Sequence, residues 1–223
     1  MGQTGWRDFI AWDFWDLMAD GYKRGVRPPL EEANQAAIGF SELDLPIYCG
    51  WNISSKFLNN IVQLGTDVDW LKALLNGLPP EMTVFEIVES TVIDNPEATK
   101  TLINALKSKG VRIALDDFGI GMHNLERLLE YLIDILKIDC SFVQSPTRES
   151  REGTMRGLVE MSKTMGFEIV AEGTETQGQL DLVWAARITH VQGYFLGKPE
   201  TADYWLAETL RRRSQKPPSA RQF

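Results

Sequence analysis

Val111-Arg-Ile-Ala-Leu-Asp-Asp-Phe-Gly-Ile-Gly121 is the stretch that decides the fold. An apolar, β-branched run leads into two adjacent carboxylates, Asp116 and Asp117, and a glycine-punctuated loop follows. This is the outline of a buried strand whose C-terminal end carries chemistry. Neighbouring strand residues point to opposite faces, so both acids serve one site only if the backbone turns there. Two carboxylates a few Å apart repel unless a proton or a cation lies between them. Taken alone, the pair is equally consistent with capping the next helix or solvating a loop.

The pair is not alone. Ile47-Tyr-Cys-Gly-Trp-Asn-Ile-Ser54 carries Asn52, and Thr83-Val-Phe-Glu-Ile-Val-Glu-Ser90 carries Glu86 and Glu89. Ile133-Asp-Ile-Leu-Lys-Ile-Asp139 carries Lys137 and Asp139, and Phe167-Glu-Ile-Val-Ala-Glu-Gly-Thr-Glu175 carries Glu172 and Glu175. His190-Val-Gln-Gly-Tyr194 carries Gln192. A helix-like stretch follows each run. Polar residues recurring at the C-terminal ends of parallel strands mark the active face of a (β/α) barrel. Charged groups inside apolar strands cost several kcal/mol unless paired or metal-bound. Their repetition at strand end after strand end argues against a set of isolated, satisfied core polar groups.

These motifs resemble the EAL-type cyclic di-GMP phosphodiesterase domain. The matching pieces, in order, are Asn52-Ile-Ser54, Glu86-Ile-Val-Glu-Ser90, Asp116-Asp-Phe-Gly-Ile-Gly121, Leu136-Lys-Ile-Asp139, Ala171-Glu-Gly-Thr-Glu175 and Gln192-Gly-Tyr-Phe-Leu-Gly-Lys-Pro199. The resemblance covers roughly residues 9 to 206. It implies an α/β fold, a modified TIM-type (β/α) barrel. It also implies hydrolysis of one phosphodiester bond of cyclic di-GMP to linear pGpG, with two Mg²⁺ or Mn²⁺ ions, in bacterial second-messenger signalling. Carried over by position, Asn52, Glu86 and Asp116 would ligate one metal. Asp116 and Asp117 would reach the second, with Asp139 and Glu172 nearby. Lys137 would hold or deprotonate the attacking water, and Glu175 and Gln192 would support the water and metal shell. Glu89 would anchor the loop at Phe118–Asn124. Elementary chemistry agrees: oxygen ligands suit these hard cations, and a metal pair stabilises both attacking and leaving oxygens. A lysine among carboxylates and cations holds a hydroxide by charge, or acts as a base if its pKa is lowered.

The chain departs from the family pattern in three places. No Glu-Ala-Leu triplet with a following Arg precedes Asn52. Instead, Thr4-Gly-Trp-Arg-Asp-Phe-Ile-Ala-Trp12 resembles the family segment just after that strand. The expectation is therefore a barrel incomplete at its N-terminus, with about six strands and open edges at Ile47–Ile53 and near Thr189–Gln192. A barrel of this type wants eight strands, and open edges invite pairing with a second copy or a partner protein. Met122-His123-Asn124 replaces the usual Tyr-Ser-Ser, and Cys140 stands where Arg is common. His123 reads as a loop residue rather than a ligand, and His190 as structural. The missing triplet supports a second function class, a degenerate domain that binds cyclic di-GMP, or a protein, without cutting it.

Composition bounds the rest. The 223 residues suffice for one barrel-sized domain, expected over residues 1–210, with a disordered tail at 211–223. A net charge of −8 argues against a duplex nucleic-acid partner. Cys49 and Cys140, far apart in apolar contexts, read as buried free thiols of a reducing cytoplasm. No run of about 18 apolar residues suggests a membrane span. Many members of the family dimerise, so a homodimer is the implied assembly. Phe9–Lys23 reads as an amphipathic helix, with Phe9, Trp12, Leu17 and Met18 among its apolar positions, and a second helix is expected near Glu31–Leu43. Further helices are expected at Glu97–Lys109, closed by Gly110, and at Glu149–Met165, closed by Gly166. Trp51 is expected to face the layer between barrel and helices, and Trp6, Trp12 and Trp15 to fill a gap or an interface.

Overall fold

A computed structural model describes residues 9–12, 48–53, 79–88, 96–119, 131–144 and 148–198, and a few positions between 204 and 211. Its strands are β1 (Phe9–Trp12), β2 (Tyr48–Ile53), β3 (Thr83–Val88), β4 (Arg112–Phe118), β5 (Ile135–Ile138), β6 (Glu168–Ala171) and β7 (His190–Val191). The helices are α1 (Pro96–Ser108), α2 (Ser141–Gln144), α3 (Arg148–Met165) and α4 (Gln177–Ala185). The seven strands form one sheet in chain order, and every neighbouring pair is parallel.

One expectation is overturned. Phe9–Trp12 is a strand, not the start of a helix. It pairs with β2 in the register Phe9↔Tyr48 to Trp12↔Trp51, so β2 is not an edge, and among the described residues the sheet holds seven strands rather than six. Backbone pairing with a neighbour far along the chain has overridden a short, ambiguous apolar pattern. The rest of that expected helix, the helix near Glu31–Leu43, Trp6, Trp15 and the tail beyond Arg211 lie outside the described residues.

The other helices form where capping chemistry puts them. α1 begins at Pro96, whose fixed φ suits a first helical turn, and ends before Gly110, which has φ +93°. α3 ends before Gly166 at φ +84°. α4 is held by a capping box: the Thr176 hydroxyl accepts from Gln179 N–H, and the Gln179 side chain accepts from Thr176 N–H.

Strand alternation divides the molecule into two cores. The larger includes Trp51, Phe85, Ile103, Ile113, Leu136, Met155, Ile169 and Val183, and it lies between sheet and helices. Trp51 belongs to it, as expected. The smaller consists of Val84, Ala114, Ile135 and Val170, with Tyr48 against it, on the opposite face of the same strands. On that face, two residues further along each strand, stand Glu86, Asp116, Lys137 and Glu172. Two residues earlier come Arg112 and Glu168, which form an ion pair at 3.2 Å. The Arg112 guanidinium also lies 4.8 Å from the centre of the Tyr48 ring. The apolar layer is thus closed at one end by a cation and at the other by the acidic cluster.

Leu136 is fully buried in the larger core. Leu136→Ala is expected to destabilise the chain by about 2–5 kcal/mol, measured by urea denaturation.

Candidate metal-binding site

Lys137 is the centre of the site. It is 2 % exposed on β5, and its Nζ lies 2.7 Å from Glu86 Oε2, 3.0 Å from Asp116 Oδ1 and 2.8 Å from Glu172 Oε1. β3, β4 and the residue after β6 therefore deliver the three carboxylates. Burial works against the ammonium form, but Glu86, Asp116 and Glu172 together raise the Lys137 pKa above the ordinary lysine value. Lys137 is a held cation.

The acid pair solves its parity problem with a backbone irregularity. The β4–β5 register shifts between Leu115 and Phe118, and Asp117 adopts φ +57°, a left-handed conformation that residues other than glycine seldom take. A bulge re-aims side chains. Here it brings Asp117 onto the same side as Asp116, and carboxylate oxygens of Asp116, Asp117 and Glu172 lie within 4.8 Å of one another. The Asp117 N–H donates to Asp116 Oδ1 at 3.0 Å, closing the turn.

The remaining expected residues divide. Asn52 sits opposite Glu86 in the β2–β3 register. Asp139 follows β5, and its Oδ1 accepts from Ser141 N–H at 2.8 Å. Burial would raise the Asp139 pKa, but hydrogen bonds from Ser141 and Cys140 hold it below the usual carboxylate range. Gln192 has a buried side-chain oxygen without a hydrogen bond among the described residues. Glu175 is exposed in the turn before α4, where its N–H donates to Gln179 Oε1 at 2.7 Å. Glu89, His123 and the loop from 120 to 124 lie outside the described residues, as does the side chain of Cys49. Cys140 is a half-buried free thiol whose pKa is pushed up by burial and by Asp139.

Two features went unread in the sequence. Thr174 is wholly buried, and its hydroxyl has no hydrogen bond among the described residues. Phe142 lies against Gly119, beside the acid turn. Arg112 and Glu168 were legible in principle, since each starts a strand that ends in a site acid, an even number of residues away.

Charge balance tests whether a cation fits. Glu86, Asp116 and Glu172 pair with Lys137, the only lysine that the described residues bring among them, and Asp117, with Asp139 acting on it, adds further negative charge beside them. Burial, then Asp116 and Asp139, raises the Asp117 pKa. Burial, with Asp116 and Glu86 adding to it against Lys137, pushes Glu172 up to about 7. Raised values of this kind come first from burial and then from neighbouring carboxylates, and a cation bound there would offset both; an all-oxygen donor set suits Mg²⁺ or Mn²⁺.

The family model described as "EAL domain" matches residues 52–199. The chain belongs to the EAL domain family. This EAL domain has the TIM-type (β/α) barrel fold of its relatives. It is similar to the EAL domain of Mycobacterium smegmatis DcpA, with a TM-score of 0.70 and 28% identity, over 84% of this chain and 83% of that one. Several curated relatives carry an activity in their names. The cyclic di-GMP phosphodiesterase RocR of Pseudomonas aeruginosa is 28% identical over 86% of this chain and 46% of its own length. The probable cyclic di-GMP phosphodiesterase PdeA of Escherichia coli is 35% identical over 55% of this chain and 17% of its own length. The chain thus spans less than half the length of either. Among the described residues, no helix is long and apolar enough to cross a membrane.

Glu172 sets a pH dependence. Its value in the folded chain, about 7, exceeds the unassociated value of 4.5, so the folded state binds the extra proton. The associated stability is complete below about 4.5 and is lost as pH rises through about 7. In metal-free buffer, the urea midpoint is expected to fall as pH rises across that window, and Glu172→Gln is expected to flatten the fall.

Proposed function

We propose that this EAL domain hydrolyses cyclic di-GMP to linear pGpG with the help of two divalent cations, Mg²⁺ or Mn²⁺. The observation that carries the reading is the convergence of Glu86, Asp116, Asp117 and Glu172 around Lys137. Asn52, Glu86, Asp116, Asp117, Asp139 and Glu172 are the residues that would hold the cations, and their oxygen donors match such ions. Bound there, the cations would activate a water and stabilise the attacking and leaving oxygens of an in-line displacement. Water attacks phosphorus, one ester P–O bond breaks, and the ring opens to the linear dinucleotide with a terminal phosphate.

The chain's own groups supply orientation and charge. Lys137, held as an ammonium by its three carboxylates, favours an attacking hydroxide by charge rather than by taking its proton. The buried Gln192 oxygen is a spare acceptor for the attacking water. Glu175 supports this shell only if its exposed side chain turns inward when substrate arrives. We further propose a cytoplasmic signalling role, with a homodimer or a partner protein at a sheet edge as the assembly. One observation favours the second reading, a receptor that binds cyclic di-GMP without cleaving it: the side chain of Glu175, which would support the water and metal shell, is exposed.

Incubation with cyclic di-GMP and Mn²⁺, with pGpG followed by chromatography, separates the two. Cleavage is expected, and Glu86→Ala and Lys137→Ala are each expected to lower its rate by about 10²-fold or more, as losing one preorganised electrostatic group does. Intact substrate with calorimetric binding would establish the receptor instead. Neither cleavage nor binding would overturn both.

A further inference from the structure

Asp117 holds a left-handed backbone at φ +57° in the turn that carries the acid pair. A non-glycine residue persists in such a conformation only where its surroundings over-determine it. Its own hydrogen bond to Asp116 is local, and a local bond between neighbours does not say which way the turn faces. Two contacts from the next strand-loop unit do. Asp139 N–H donates to Phe118 O at 3.2 Å, fixing the residue after Asp117. Gly119, at φ +113°, is in contact with the Phe142 ring: a Cβ there would lie 2.0 Å from Cε2 and 2.7 Å from Cζ. Phe142 is itself fixed at both backbone ends, since its N–H donates to Asp139 O at 3.0 Å and its carbonyl accepts from Arg151 Nη1 at 3.0 Å. Arg151 is 7 % exposed in the first turns of α3, an unusual burial for an arginine.

We propose that Phe142 is a positioning residue for the metal site. Its ring, tethered through Arg151, clamps Gly119 and so sets the Asp117 carboxylate beside Asp116 and Glu172. The proposal rests on the metal reading above and assigns α2 a role in it. A side chain at position 119 would displace the ring, and a small residue at position 142 would free the turn. With the clamp gone, the repulsion between Asp116 and Asp117 is relieved by swinging Asp117 outward, and one donor leaves the set.

The test is Mn²⁺ binding to the full chain, followed by the electron paramagnetic resonance signal of free Mn²⁺. Phe142→Ala is expected to weaken binding by about ten-fold, the lower end of the effect of losing a group that orients a ligand, while Phe142→Tyr keeps the ring and binds as wild type does. Val143→Ala serves as the control. It opens the core beside the same short helix, at a residue 3 % exposed, and is expected to lower stability while leaving Mn²⁺ affinity unchanged. Wild-type affinity in Phe142→Ala, or an equal loss in Val143→Ala, would overturn the clamp. If the wild-type chain takes up no Mn²⁺, the metal reading fails, and the clamp is judged in metal-free protein. There, hydrogen exchange of the Asp117 amide is expected to quicken at least several-fold in Phe142→Ala and not in Phe142→Tyr, and unchanged exchange would overturn it.

Discussion

A single buried ammonium organises this protein. Lys137 is surrounded by Glu86 of β3, Asp116 of β4 and Glu172 just after β6, at distances of 2.7 to 3.0 Å. Removing a charge from water is costly, and the attraction between partners offsets that cost only when the geometry is good. The arrangement therefore constrains the registers of β3, β4, β5 and β6 together, because a slip of one residue in any of them would turn its charged side chain to the opposite face. A slip of β5 would drive Lys137 into the apolar layer beneath the helices. The cluster consequently specifies the pairing of the central sheet as well as its chemistry.

The interior face is graded along the strands. Arg112, Glu168 and Tyr48 close one end, Val84, Ala114, Ile135 and Val170 fill the middle, and the acids crowd the other end. The two ends differ in balance. At the first, a guanidinium and a carboxylate meet one to one, and a ring adds a further contact. At the second, carboxylates outnumber the ammonium, and burial with mutual repulsion pushes Asp117 and Glu172 upward. An imbalance of this kind is unfavourable for a resting fold and useful for capturing cations, which is the usual relation between perturbed carboxylates and function.

Asp117 shows how local strain serves that end. The shift in the β4–β5 register, the left-handed backbone and the contact between Gly119 and Phe142 lie within one turn of chain and its neighbour. Each would be an oddity alone. Together they convert two consecutive residues, which a regular strand would send to opposite faces, into a pair on one side.

Much of this was legible from one-dimensional pattern. Short apolar runs ending in Asn52, Glu86, Asp116, Lys137, Glu172 and Gln192 announce parallel strands with a working end, because period-two burial and the cost of a buried charge are local properties of the chain. The helices Pro96–Ser108 and Arg148–Met165 were likewise readable, since proline and glycine punctuate them. Phe9–Trp12 was misread because four apolar residues carry no period of their own; pairing with Tyr48–Trp51 made them a strand. Nor could any spacing reveal that Arg151 would hold the Phe142 carbonyl, or that the ring would settle on Gly119. The residue types and their strand positions were written in the order of the chain. How Asp116 and Asp117 come to share a side, and that Lys137 takes three partners at once, depended on contacts between segments far apart in sequence, which only packing in three dimensions brings within hydrogen-bond reach.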